Sequence, residues 1–227
     1  MKRLTKATVR TATNLLFFTV IGTAILAFTY SVTHELIAQS EDKAKLKLIN
    51  QVVPATLYDN DLIKDAINLP ASTQLGTEQD TIAYRGRLHG QPSVVVLEAI
   101  APDGYSGKIS MIIAINYAGA ITGVRVVTHK ETPGLGDYID IAKNAWISLF
   151  NGTSHANIQE DGWQVKKDGG QFDYMAGATI TPRAVVKAVH KALHYFEENR
   201  DKLFAQIINQ MPSDSKPQGE LHETSGN

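Results

Sequence analysis

The chain has 227 residues, with 22 Lys+Arg against 23 Asp+Glu, 43% hydrophobic residues and no cysteine. That composition excludes a disordered or collagen-like polymer, and the length suits one compact domain with appendages. The missing cysteine excludes disulfides, thiol nucleophiles, thiolate zinc sites, cysteine-ligated iron–sulfur clusters and lipoprotein attachment, and a net charge of −1 gives no general reason to bind nucleic acid.

Residues 1–11 carry Lys2, Arg3, Lys6 and Arg10 and no acid. Leu15–Val32 carries no charge, and extending it back to Ala12 gives about 20 residues, enough to cross a bilayer as a helix. The competing reading is a cleaved signal peptide, whose apolar region is usually about 7–15 residues and ends in a small-x-small site. The run here is longer, and Phe28-Thr29-Tyr30-Ser31 offers no clear site. The expectation is therefore an uncleaved transmembrane helix at 12–32, its basic end cytoplasmic and the remainder across the membrane.

Residues 33–79 read as a helical stalk and linker. Leu36, Ile37, Leu46, Leu48 and Ile49 are set among charges that suit a solvated helix face. Pro54 interrupts the pattern, and a short amphipathic segment is expected around Leu62–Ile67. The folded domain is expected over 80–208. Ser93–Ala101, Lys108–Asn116 and Ile121–Thr128 read as strands, the last two joined by a turn at Tyr117–Ala120. Asp137–Phe150 reads as a helix with Ile141, Ala142, Ala145, Trp146 and Leu149 inward, and Trp163–Val165 as a short strand. Pro182 to Phe204 gives the clearest soluble helix, its apolar face formed by Val185, Val186, Val189, Ala192, Leu193 and Phe196. Thr181 is expected as its N-cap and Pro182 as its first residue. Residues 209–227 read as a disordered tail. Strands followed by helices indicate an α+β fold, an antiparallel sheet with packed helices behind one N-terminal transmembrane helix.

Two segments stand out chemically. His129–Asp137 contains Pro133-Gly134 and Gly136, which favour tight turns or close ligand approach. On composition alone it is more simply a strand-to-helix connection capped by Asp137. Asp173–Pro182 (DYMAGATITP) places small residues and the Thr179 hydroxyl just before a helix, where backbone N–H groups and the helix dipole favour a phosphate. A capped helix explains that pattern equally well. His190 and His194 are four apart on one helix face, but H-E-x-x-H is absent and neither His129 nor His155 is placed by sequence as a further ligand. No metal site is expected. Lys108 follows a glycine without the full phosphate-loop spacing, so nucleotide hydrolysis is not supported.

Asp173–Thr179 resembles the D-x-x-[S/T]-G-A-T motif at which a flavin transferase attaches FMN through its phosphate. Ala176 departs from it, standing where Ser or Thr is usual. Together with the N-terminal anchor, Gly104–Ile109 (GYSGKI) and Glu131–Asp137, residues 1–205 resemble the RnfG family, the G-type subunits of the Rnf (Rsx) electron-transport complex. The C-type subunit of the sodium-pumping NADH:quinone reductase is a close relative with the same motif and a similar Pro-Gly-x-Gly turn; the short chain favours the former.

The resemblance implies FMN joined covalently to Thr179, with Gly177, Ala178, Glu131, Thr132, Gly134 and Leu135 around it. It also implies Asp173 as a recognition or metal-assist residue for the transferase. Tyr105 and Tyr174 are candidate flavin contacts, although tyrosines at such positions are more often core or surface packing. The expected partners are the other membrane subunits, the transferase during maturation, and membrane lipid. The location it implies is the bacterial inner membrane, with the main domain periplasmic. With no NAD fingerprint and no cluster ligands, the chain is expected to be a redox subunit and not a stand-alone enzyme. Two other readings carry no flavin: an anchored structural or assembly subunit, and an exported ligand-binding domain.

Overall fold

The structure, a computed structural model, describes residues 2–205, the side chains of residues 2–9, 11 and 32–45 excepted. The expected tail at 209–227 lies outside the described residues.

One helix, α1 (Lys2–Val52), runs unbroken from the basic N-terminus through the apolar stretch to the folded domain. Ala12–Ser31 is long and apolar enough to span a membrane and packs against nothing among the described residues. Its large side chains stand exposed, Phe18 at 71% and Leu26 at 72%, a cost in water that hydrocarbon removes. Pro54 follows the helix end and introduces a short 3₁₀ turn, Ala55–Leu57.

Five strands follow: β1 (Ala66–Leu69), β2 (Thr81–Leu88), β3 (Gln91–Gly104), β4 (Gly107–Asn116) and β5 (Ile121–Thr128). They form one antiparallel meander in sequence order. The sheet is buried on both faces, which accounts for the nearly continuous apolar runs in β3 and β4. Val95, Leu97 and Ala99 of β3 and Met111, Ile113 and Ile115 of β4 point to the main core. There they meet α2 (Ile180–Phe204) through Val185, Val189, Leu193 and Phe196. The alternate residues Val94, Val96, Ile112 and Ala114 point the other way, onto Ile49, Val52, Val53 and Leu62. The period-2 alternation thus feeds two cores from the same strands.

The end of α1 is fastened to β5. Val52 O accepts from Thr122 Oγ1 at 2.7 Å, and Gln51 O from Arg125 Nη2 at 3.2 Å. These donors satisfy carbonyls that a helix C-terminus leaves free. A Cβ on Gly123 would sit 2.8 Å from Val52 Cα, so glycine is what lets the helix end lie on the strand.

Several expectations change. The sheet begins at Ala66, upstream of residue 80, and Leu62–Ile67 is a turn followed by the start of β1. Asp137–Phe150 is not one helix but two 3₁₀ segments, Asp137–Ile139 and Ala145–Phe150. Asp140 Oδ1 accepts Ala142 N–H and Asn144 Oδ1 accepts Trp146 N–H, each at 2.9 Å. These local bonds compete with helical ones and break the run. The inward side chains are Tyr138, Ile139, Trp146, Ile147 and Phe150, while Ala142, Ala145 and Leu149 are exposed. Trp163–Val165 is not a strand; Val165 makes an isolated parallel bridge to Phe172.

Candidate functional site

The two chemically prominent segments meet at the N-terminus of α2. Glu131, Thr132, Leu135 and Gly136 form one side of a cavity of about 280 Å³, and Gly177 to Thr181 the other, with Tyr105 at its edge. Gly134 and Tyr174 are not among the lining residues. Another cavity, of about 190 Å³ and more apolar, lies between the end of α1 and the sheet, away from both segments.

Glu131 organises the first wall. It is 4% exposed, and a buried carboxylate requires donors. Its Oε1 accepts the Ser106 N–H at 3.0 Å, and its Oε2 accepts the Thr181 hydroxyl in a short hydrogen bond. Two glycines make room for it. A Cβ on Gly104 would lie 2.9 Å from Oε1, and one on Gly136 would lie 2.8 Å from Oε2 and 3.0 Å from Thr181 Oγ1. Thr132 O accepts from Leu135 N and Gly136 N at 3.1 and 3.0 Å, closing the turn. Gly134 sits at φ +74°, where a side chain is strained, and its N–H donates to Asp137 Oδ1 at 2.8 Å. Asp137 therefore closes this turn instead of capping a long helix.

The second wall is held from beneath. Trp146 Nε1 donates to Asp173 O at 2.7 Å, and Met175 N donates to the Tyr138 hydroxyl at 3.3 Å. Burial raises the Tyr138 pKa above its ordinary value, partly opposed by the Met175 hydrogen bond. Ala178 packs on the main core, and Gly177 has φ +88° with open space where a side chain would be.

Thr179, not Thr181, is the N-cap of α2. Its side chain makes no capping hydrogen bond, leaving the half-buried hydroxyl uncommitted to the helix. Thr181 lies inside the first turn, 1% exposed, and is spent on Glu131. Asp173 lies outside the cavity with its side chain 58% exposed, paired at 2.5 Å with Lys166. Ala176 is exposed. Sequence reasoning missed Thr181 as the link between the two segments, and Tyr138 and Trp146 as supports.

A cleft at a helix N-terminus, walled by a glycine turn and a small-residue motif, suits a phosphate-bearing ligand. The class it defines is the FMN-binding domain, whose family profile matches residues 104–194. A second profile, the RnfG N-terminal region, matches residues 1–52. The G subunit of the ion-translocating oxidoreductase complex of Pseudomonas aeruginosa (strain UCBPP-PA14) is 45% identical over 200 residues, covering 88% of this chain and 94% of the relative. The corresponding G subunits of Vibrio atlanticus (45% over 195 residues, 86% and 93% covered) and Vibrio cholerae strain O395 (46% over 189 residues, 83% and 90% covered) are similarly close. The chain belongs to the RnfG family, the G subunits of the ion-translocating oxidoreductase complex.

Proposed function

We propose that this chain is the membrane-anchored flavoprotein subunit of an ion-translocating oxidoreductase complex, holding FMN covalently on Thr179 and relaying electrons to and from its neighbours. The observation that carries the attachment point is the Thr179 hydroxyl, at the cavity wall and unused in capping. The residues present fit the group. Ile180 and Thr181, in the first turn of α2, carry N–H groups without acceptors inside the helix, and both line the cavity. The helix dipole there favours the negative charge of the phosphodiester that the linkage forms. The side chains of Tyr105, Leu135 and Ile180 are 68%, 47% and 47% exposed around the cavity, an apolar rim suited to an aromatic ring.

Attachment is a phosphoryl transfer. Thr179 Oγ bonds to the flavin-side phosphorus of FAD, the phosphoanhydride bond to AMP breaks, and the hydroxyl proton passes to the transferase or to solvent. The exposed Asp173 carboxylate serves as a contact for that transferase. Once bound, FMN supplies one- and two-electron redox chemistry. The chain's residues hold it: Glu131 fixes the turn wall through Ser106 and Thr181, and Gly177 leaves space for close approach. A tether is useful outside the cytoplasm, where dissociated flavin would be lost, and the basic residues before the membrane helix favour that placement.

The test is protein co-expressed with a flavin transferase. It should stay yellow and fluorescent after denaturation, Thr179→Ser should retain the colour, and Thr179→Ala should lose it while keeping a folded circular-dichroism spectrum. Undiminished flavin in denatured Thr179→Ala would reject the attachment site.

A further inference from the structure

Further along α2, a second cluster of side chains is left unused by the flavin reading. His190 and His194 lie one turn apart and face His155, from the loop after the 3₁₀ segment Ala145–Phe150, and Glu160, from the 3₁₀ turn Glu160–Gly162. One ligand-capable atom from each of the four falls within 4.8 Å of all the others. Ring centroids are 4.3 Å apart for His155–His194, 4.6 Å for His190–His194 and 5.1 Å for His155–His190. Glu160 Oε2 stands 3.3 Å from His190 Nε2 and 3.5 Å from His194 Nε2.

Two observations separate this cluster from a chance grouping. His155 Nε2 is buried without a hydrogen-bond partner, and His190 Nε2 is buried with only the 3.3 Å approach of Glu160 Oε2, which lacks hydrogen-bond geometry, a costly arrangement that a ligated ion relieves. His155 Nδ1 lies 2.8 Å from Glu197 Oε2. With Nδ1–H donating to that carboxylate, the Nε2 lone pair is left free, the carboxylate–histidine arrangement that orients a metal ligand. Trp163 stacks parallel on His190 at 5.0 Å, walling one side with an apolar ring.

We propose that His155, Glu160, His190 and His194 form a tetrahedral site for a divalent d-block cation of the zinc type, tying the irregular segment 151–172 to α2. Three imidazoles and one carboxylate suit zinc, whereas magnesium and calcium require mostly oxygen ligands. Four protein ligands leave no position for a reacting water, so the site is structural. By helical rise His190 lies roughly 16 Å along α2 from Thr179, clear of the flavin cleft. The pinned segment leads directly into Asp173–Thr179, so the ion steadies the chain entering that motif.

The test uses the full-length chain in detergent, stripped with EDTA and titrated with Zn²⁺, with Co²⁺ as a spectroscopic probe and Mg²⁺ as control. One Zn²⁺ per chain should bind and raise the melting temperature, Co²⁺ should give visible bands of tetrahedral intensity, and Mg²⁺ should do neither. Glu160→Gln and His194→Gln, at side chains 73% and 39% exposed, should keep the fold by circular dichroism. Each should weaken Zn²⁺ binding roughly tenfold or more. His89→Asn, at a side chain 87% exposed and outside the cluster, should leave binding unchanged. Absence of stoichiometric Zn²⁺ binding, or wild-type affinity in both cluster variants, overturns the site.

Discussion

A carboxylate at 4% exposure has to find donors, and Glu131 takes them from two distant stretches, the Ser106 backbone and the Thr181 hydroxyl. Thr181→Val removes one donor while keeping the side-chain shape. The expected cost is about 1–3 kcal/mol of stability, read as a lower melting temperature, because the carboxylate stays buried short of a partner. Gly136→Ala forces a Cβ against both Glu131 and Thr181. It should cost about 1–3 kcal/mol and slow flavin incorporation measured by in-gel fluorescence. Tyr138 adds a pH signature. Its folded pKa is raised above 10.0, so its contribution to stability is present below that value and is lost as pH rises through the folded pKa. Tyr138→Phe should therefore flatten the decline in melting temperature above pH 10.0. At this scale the motif sequence drew attention to the small residues and to Thr179. The Glu131–Thr181 pair was not legible, because its members are fifty positions apart and each has an ordinary local explanation.

Strands β3 and β4 were legible because their apolar, β-branched runs are buried on both faces, and β5 because its residues alternate after a clear turn. β2 was not. It carries two charged residues, Arg85 and Arg87, whose side chains are only 2% and 14% exposed, both paired with Asp65. Arg85 Nη1 also donates to Ala205 O at 2.6 Å, tying the end of α2 to the sheet. A strand whose burial depends on a partner twenty residues upstream leaves no local hydrophobic signal. The false helix at Asp137–Phe150 has the opposite origin: apolar spacing was present, but Asp140 and Asn144 captured backbone donors locally. The contact of α1 with β5 gives an element-scale prediction. Gly123→Val would drive a side chain into Val52 and should cost about 1–3 kcal/mol, with faster amide exchange at the end of α1 as the specific sign.

Across the whole molecule, one unbroken helix joins the membrane-length segment to the sheet, and the sheet supports the helix whose N-terminus carries the cleft. At 51 residues α1 is about 76 Å long by helical rise. Its fastening to β5 through Thr122 and Arg125 makes it a strut instead of a loose tether. Because the chain has no cysteine, sidedness can be read by introducing one. A membrane-impermeant maleimide applied to spheroplasts should label Lys143→Cys and spare Lys6→Cys; the reverse pattern would invert the proposed orientation.

The central claim is attachment of the cofactor at the mouth of α2. Intact-mass spectrometry followed by peptide mapping, on protein matured beside its flavin transferase, tests it most directly. The account predicts a mass increment of FMN less one water, localised to Thr179. An unmodified chain, or an increment on any other residue, would contradict it.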